Sequence, residues 1–208
     1  KGVYPAYSQD AVIRKDSIET AVHIMSVPDN TDRNNDPNFI DPMKNPEVEK
    51  YSYCISFKDD YIIVDDHRFQ ANVLVTDSFF LQLMDYPVIS GIKTIQRPDD
   101  AIITRKNANH LFKDENPLGK QLVSSAGYTL TIRGIVDEPD TKSSLQFDLI
   151  TPVNQGKYMD WSRMGFCITR LVKGTELAKF NEKISKPQSL ICFSHSPIQF
   201  RLFPLKEL

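Results

Sequence analysis

The chain has 208 residues, 40% hydrophobic and 25% charged, a composition that supports a folded core and fits one large domain or two small ones. Its 25 basic and 27 acidic residues are interspersed and leave a net charge of −2, which excludes the gathered basic face of a nucleic-acid binder. No run reaches the roughly 18 consecutive apolar residues that cross a bilayer, no signal-peptide apolar core opens the sequence, and the first residue is Lys1, as in a fragment or processed product.

Residues 18–27, with Ile18, Ala21, Val22, Ile24 and Val27 in imperfect alternation, read as a strand. Residues 28–46 are rich in Asn, Asp and Pro and read as loop, with one short helical turn around Ile40 to Lys44. A β-rich block follows. Tyr51, Tyr53 and Ile55 alternate with Ser52, Cys54 and Ser56; Asp59-Asp60 reads as a turn and Tyr61 to Val64 as a second strand. Asp65-Asp66-His67 is a further turn before the alternating strand of Phe69, Ala71, Val73 and Val75, so two consecutive hairpins are expected. Thr76-Asp77-Ser78 supplies N-cap candidates for a short helix through Met84, with Phe79, Phe80, Leu83 and Met84 as its apolar stripe.

Beyond Pro87 and Gly91, which bound the extended Val88-Ile89, Ala101-Ile102-Ile103 forms a short buried strand. Thr104 caps a helix carrying Ala108, Leu111 and Phe112, which must stop before Pro117. Asn116-Pro117-Leu118-Gly119 is a tight turn with glycine free to take positive φ, and Lys120 to Val123 leaves it as a strand. Tyr128 to Val136 alternates strongly around Gly134, which marks a bulge or a close backbone approach. Residues 137–144 are turn-like, Phe147 to Ile150 is a strand, and the signal weakens over 156–165. The end reads as a strand over 166–172, a helix over 175–184, and strands over 190–193 and 200–205.

Residues with chemical potential are few and scattered. Asp65-Asp66-His67 has metal-binding side chains, but neighbours on an extended chain face opposite ways, and turn chemistry accounts for the aspartates. Ser194-His195-Ser196 suggests hydrolase chemistry, yet no Gly-x-Ser-x-Gly elbow or orienting third group accompanies it. His23, His67, His110 and His195 read as surface or hairpin residues. Cys54, Cys167 and Cys192 lack Cys-x-x-Cys spacing and sit among apolar residues, as small buried hydrophobes do; one disulfide stays open in an oxidising compartment. Phe79, Phe80 and Phe112 read as core, and Tyr51, Tyr53 and Tyr61 as a contact surface if exposed. No catalytic, cofactor-binding or metal-ligating residue is assigned.

Residues 67–152 carry a family pattern. The run from Val75 to Gly91, with Phe79-Phe80, Pro87 and Gly91, resembles the Phe-Phe-x-x-Phe-x-Phe-Pro-Leu-x-x-Gly step of MacB-like periplasmic core domains, found in FtsX-like ABC transporter permeases. Ile102-Ile103-Thr104, Ala108, Leu111-Phe112 and Asn116-Pro117-Leu118-Gly119-Lys120 resemble the family's strand, helix and Asn-Pro-Ile/Leu-Gly-Lys turn. Tyr128 to Val136 is similar to its Val-x-Gly-Val-Val strand, and Leu145-Gln146-Phe147-Asp148 to its closing Phe-Asp segment. Fainter echoes lie at Asn45-Pro46-Glu47-Val48, Leu171-Val172-Lys173-Gly174-Thr175 and Pro204-Leu205, so the likeness spans about 45–208. Residues 1–44 carry no matching signature, and Asp140 to Ser144 stands where a Pro-x-Asn-Ser-His-like turn is usual.

The resemblance implies an α+β fold of two lobes, a porter-like α/β lobe built from both chain ends and an inserted mixed β-rich lobe; weak-signal stretches near residues 93 and 157 set the split, giving 1–92 together with 158–208 for the first and 93–157 for the second. It implies an extracytoplasmic domain on the periplasmic side of the inner membrane, without enzymatic chemistry. Its partners are the permease's transmembrane helices, a second permease copy, a separate ATPase subunit, since no Walker A sequence is present, and a periplasmic adaptor. The competing reading is an extracytoplasmic sensor or ligand-binding domain, which needs a pocket of ~300 Å³ with convergent polar groups.

Overall fold

The computed structural model describes residues 20–25, 45–84, 86–137, 145–152, 165–184 and 202–204. They form an α+β fold in which ten strands share one mixed sheet. In chain order these are β1 (Thr20–Met25), β2 (Val48–Val64), β3 (His67–Thr76), α1 (Phe80–Leu83), β4 (Val88–Gly91), β5 (Asp100–Thr104) and α2 (Arg105–Phe112). β6 (Gln121–Ser124), β7 (Thr129–Val136), β8 (Leu149–Pro152), β9 (Gly165–Leu171), α3 (Leu177–Ile184) and β10 (Leu202–Pro204) complete them. The expected strand over 190–193, the helical turn at 40–44 and the weak segment to 164 lie outside the described residues.

The sheet runs β10-β1-β9-β2-β3-β8-β5-β7-β4, and β6 pairs with both β2 and β7. Strands β2, β3, β8, β5, β7 and β6 therefore close into a ring. Two links of that ring are parallel, β3 with β8 and β5 with β7. Ring closure leaves no free edge among these strands and needs a filled interior. Alternate residues supply it: Ile62, Val64, Ala71, Val73, Ala101, Ile103, Leu122, Leu130, Ile132 and Leu149 make one buried cluster. Ala108 and Phe112 of α2 join this cluster. Thr104 starts that helix as its pattern predicts, its hydroxyl accepting a hydrogen bond from the Asn107 amide at 3.2 Å.

The opposite face of β3, β5 and β8 carries Leu74, Ile102 and Ile150 into a second cluster with Phe80, Leu83 and Met84. Tyr86 and Phe147 pack there with ring centroids 4.9 Å apart. A third cluster, Val48, Leu171 and Phe180, attaches α3 to β2 and β9.

One hairpin stands where two were expected. β2 is a single strand of 17 residues that continues through Asp59-Asp60. Its register against β3 steps from Phe57 opposite Val73 to Asp60 opposite Ala71, so Lys58 and Asp59 together face Asn72. This is a bulge, with Asp59 at φ 56°, its amide donating to Asn72 Oδ1 at 3.4 Å and its carboxylate accepting from Gln70 Nε2 at 2.8 Å. Aspartate's tolerance of left-handed backbone serves bulges and turns alike, and pairing with β6 beyond the bulge keeps the strand extended. The turn at Asp65-Asp66 is real: φ of 47° and 63° at the two residues between Val64 and His67 fits a type I′ hairpin.

Two smaller expectations also shift. The N-cap position of α1 is Phe79, without a side-chain cap, rather than Thr76, Asp77 or Ser78. β8 begins at Leu149, because Phe147 packs in the second cluster and the Asp148 carboxylate accepts from the Asn72 amide at 2.8 Å.

Gly134 fulfils both of its sequence readings. The register slips between Ala101, opposite Ile132, and Ile102, opposite Gly134. A Cβ at Gly134 would lie 2.7 Å from the Ile92 carbonyl oxygen and 3.3 Å from Ile102 Cγ1. Gly134→Ala should cost about 1–3 kcal/mol of unfolding free energy, while Thr129→Ala, exposed on the same strand, stays within about 0.5 kcal/mol. Urea melts check this, and equal midpoints for the two variants would contradict the close approach.

Candidate functional site

The pairing of β1 defines the most informative end of the sheet. Ala21 lies opposite Pro204 and Thr20 opposite Arg170, while β2 sets Val48 opposite Leu171. The starts of β1 and β2 and the finishes of β9 and β10 therefore share one end. The Asp65-Asp66 turn sits at the other end of β2.

Side chains fasten this end. Lys183 Nζ of α3 donates to both carboxylate oxygens of Glu47 at 2.8 Å. That bond from Lys183 holds the Glu47 carboxyl below its ordinary pKa. Val172 N donates to the Glu47 carbonyl at 2.8 Å, and Arg170 reaches Glu49 at 3.6 Å and the Gln82 carbonyl at 3.2 Å. Such exposed pairs each contribute on the order of 0.5 kcal/mol, so they set geometry more than stability.

A polar knot binds α1 to the sheet. Asp77 Oδ1 accepts from Ser52 Oγ at 2.8 Å and from the Phe79 amide at 2.9 Å, and Oδ2 accepts from the Tyr53 amide at 3.0 Å. Thr76, fully buried, donates its hydroxyl to the Tyr53 carbonyl at 2.8 Å, and its Oγ1 lies 3.0 Å from Ser52 Oγ. Asp77 thus clamps β2 to the start of α1. The sequence marks Asp77 only as a cap candidate, because its partners are 24 and 25 residues away.

Beside this knot lies an open groove of about 550 Å³, lined by Thr76, Asp77, Gln82, Thr94, Arg97 and Pro152 among others. Most of its polar groups are engaged within the protein. The Thr94 hydroxyl donates to the Ser78 carbonyl, and Gln82 accepts from Lys50 Nζ at 2.7 Å and donates to Ser78 O at 3.2 Å. Asp100, buried, accepts from the Gln96 and Arg97 amides at 2.9 Å and holds that wall in place. The volume passes the size a ligand pocket needs.

The residues weighed for chemistry do not gather. His67 Nδ1 contacts the Asp65 carbonyl at 2.6 Å within the hairpin turn. His110 packs edge-on against Phe69 at 5.9 Å, and His23 lies on β1 opposite Cys167 and Leu202. Ser194, His195, Ser196 and Cys192 lie outside the described residues. Among the described residues, no three His, Cys, Asp or Glu side chains are grouped to hold a metal ion, and no helix is long and apolar enough to cross a membrane. Cys54 and Cys167 are free and buried, and burial pushes the Cys54 thiol up to about 12 and raises that of Cys167. Neither is a thiolate nucleophile near neutral pH. The expected tyrosine surface is absent: Tyr51 and Tyr53 are half-buried against the third and first clusters, and Tyr61 lies under Arg68, 4.7 Å from its ring.

Asp77→Ala removes three charge-assisted hydrogen bonds and should lower unfolding free energy by about 2–4 kcal/mol. Asn72→Ala at the bulge, where the partners are more exposed, should cost less. A fall below 1 kcal/mol for Asp77→Ala in chemical denaturation would show that the clamp is dispensable.

Comparison with known proteins agrees with the geometry. No curated protein matches the chain in sequence. The fold is similar to the periplasmic region of MacB from Actinobacillus actinomycetemcomitans, with TM-score 0.66, 14% identity and coverage of 91% of this chain and 90% of that one. It is also similar to the extracellular domain of the ABC-type transporter YknZ from Gram-positive bacteria, with TM-score 0.60, 15% identity and coverage of 88% and 99%. The model of the MacB-like periplasmic core domain matches residues 7–186. The chain belongs to the MacB-like periplasmic core domain family.

Proposed function

We propose that this is the extracytoplasmic domain of an ABC transporter permease, on the periplasmic side of the inner membrane, and that it passes ATP-driven movement of transmembrane helices to a substrate or a periplasmic adaptor. The observation that carries the reading is the antiparallel pairing of β1 with β10, Ala21 opposite Pro204. A domain inserted between two membrane helices must receive the chain and return it at neighbouring points, and this pairing provides that arrangement. Hydrogen bonds then connect the end to the ring through β9 and β2.

ATP hydrolysis belongs to a separate subunit, and two permease copies move relative to one another as bistable bodies. No residue of this chain performs chemistry in that scheme. The division into a lobe of 1–92 with 158–208 and an inserted lobe of 93–157 is part of the proposal. It is supported by β5, α2, β6, β7 and β8 all falling in the insertion. These strands join the rest through the β3–β8, β2–β6 and β4–β7 pairings, so the lobes share one sheet.

The test uses the full-length permease with its ATPase in nanodiscs. A spin label at Ile89→Cys, exposed on β4, reports the distance between the two copies, with Cys192→Ser removing a competing thiol. Cys54 and Cys167 stay unlabelled because they are buried. The label–label distance should change by several ångströms between nucleotide-free and ATP-trapped states. A distance that ignores nucleotide but responds to a soluble ligand would replace this reading with the sensor.

A further inference from the structure

Of the five described arginines, four have a partner. Arg105 pairs with Asp137, Arg133 with Asp100 and Arg170 with Glu49, and Arg68 lies over the Tyr61 ring. Arg97 differs. It is exposed, and its guanidinium has neither an ion pair nor a hydrogen bond among the described residues. It lines the groove of about 550 Å³ beside the Asp77 knot.

That groove has two walls, and both are fixed. One comes from the finish of β3 and from α1, the other from residues 94–98 in the connection between β4 and β5. The Thr94 hydroxyl ties the second wall to the Ser78 carbonyl on the first. Ile95 is buried in the second cluster, and the Asp100 carboxylate holds the Gln96 and Arg97 amides at 2.9 Å. The Asp100 amide donates back to the Arg97 carbonyl at 3.2 Å. The backbone of Arg97 is therefore held while its side chain is left over.

Asp77 lines the same groove and is half-buried. Its Oδ1 accepts from Ser52 Oγ and the Phe79 amide, and its Oδ2 accepts from the Tyr53 amide alone. A carboxylate offers about four lone-pair positions, so one on Oδ2 is unfilled. All three donors are neutral, and no cation pairs with Asp77 among the described residues. The Ser78 hydroxyl and the Gln96 side-chain amide also line the groove without a partner among those residues.

One concave surface thus carries a carboxylate and a guanidinium that do not neutralise each other, with a free hydroxyl and a free amide beside them. A purely anionic ligand meets the charge of Asp77, and a purely cationic one meets Arg97. The complement is a zwitterion with polar groups along its length, which is an oligopeptide with free ends. A guanidinium donates two parallel bonds to a terminal carboxylate, and an ammonium fits a carboxylate oxygen that still has a lone pair.

We propose that this groove binds short peptides with free termini, the peptide carboxylate on Arg97 and its ammonium on Asp77. The proposal stands on the groove alone and does not depend on the permease reading.

The test is saturation-transfer NMR on the full-length permease in nanodiscs, with trialanine, its N-acetyl form and its C-terminal amide as probes. Trialanine should receive saturation from the protein, and blocking either end should weaken binding about tenfold. Arg97→Gln, which alters a side chain that bonds nothing in the fold, should bring trialanine down to the affinity of its amide. The amide itself should bind the variant and the native protein alike. Inorganic phosphate at the same concentration should not displace trialanine. Absence of transfer from trialanine, or equal transfer from the free and blocked peptides, overturns the proposal. Native affinity in Arg97→Gln overturns the assignment of the groove, and displacement by phosphate replaces the zwitterion site with a simple anion site. None of these outcomes bears on the nucleotide-driven movement, which the spin-label distance measures separately.

Discussion

The structure depends on one strand being hydrogen-bonded to different partners along its length. The first half of β2 pairs with β9 and its second half with β6, while β3 pairs with its other edge from Cys54 onward. Backbone groups buried in a sheet must be paired, so neither half of β2 can move independently without breaking ladder bonds in an apolar setting. The ring is closed through β6 alone, and the end that holds β1 and β10 reaches the ring through β9. Both connections run through β2. The bulge at Lys58-Asp59 lies between them and lets one strand change partners without ending.

Around this strand the three helices divide the packing. α1 is clamped by Asp77 on one face of β2, where Phe80 and Leu83 extend the second cluster. α3 covers the other face at the β9 end through Phe180, and α2 adds Phe112 to the ring interior. The polar bonds at Asp77, Asp100 and Asp148 each hold a loop or helix start against a strand.

Much of the local structure was legible. The alternation in β3 and β7, the Thr104 cap, the turn before Lys120 and the slip at Gly134 are encoded by neighbours a few residues apart, and each appears in its expected place. The failures share a cause. Asp59-Asp60 has the composition of a turn, and only the distant β6 shows that the strand continues. Asp77 has the composition of a cap, and only Ser52 and Tyr53 reveal its clamp. A period of two identifies a strand and is silent about its partner, so ring closure and the β1–β10 pairing had no local signal. The family pattern, concentrated over 75–148, lies in the segments whose short-range logic was clearest.

The central claim is that β2 joins the end holding β1 and β10 and the ring into one cooperative body. Native-state hydrogen exchange tests it directly on the amides of Tyr51, Ser52 and Cys54, which lie in the β9-paired half, and of Ile62 and Ile63, which lie in the β6-paired half. The account predicts that the slowest amides of both groups exchange with the same free energy and the same denaturant dependence, equal to those of global unfolding. If the first group opens at several kcal/mol less while Ile62 and Ile63 remain protected, the two ends are separate bodies and the account is wrong.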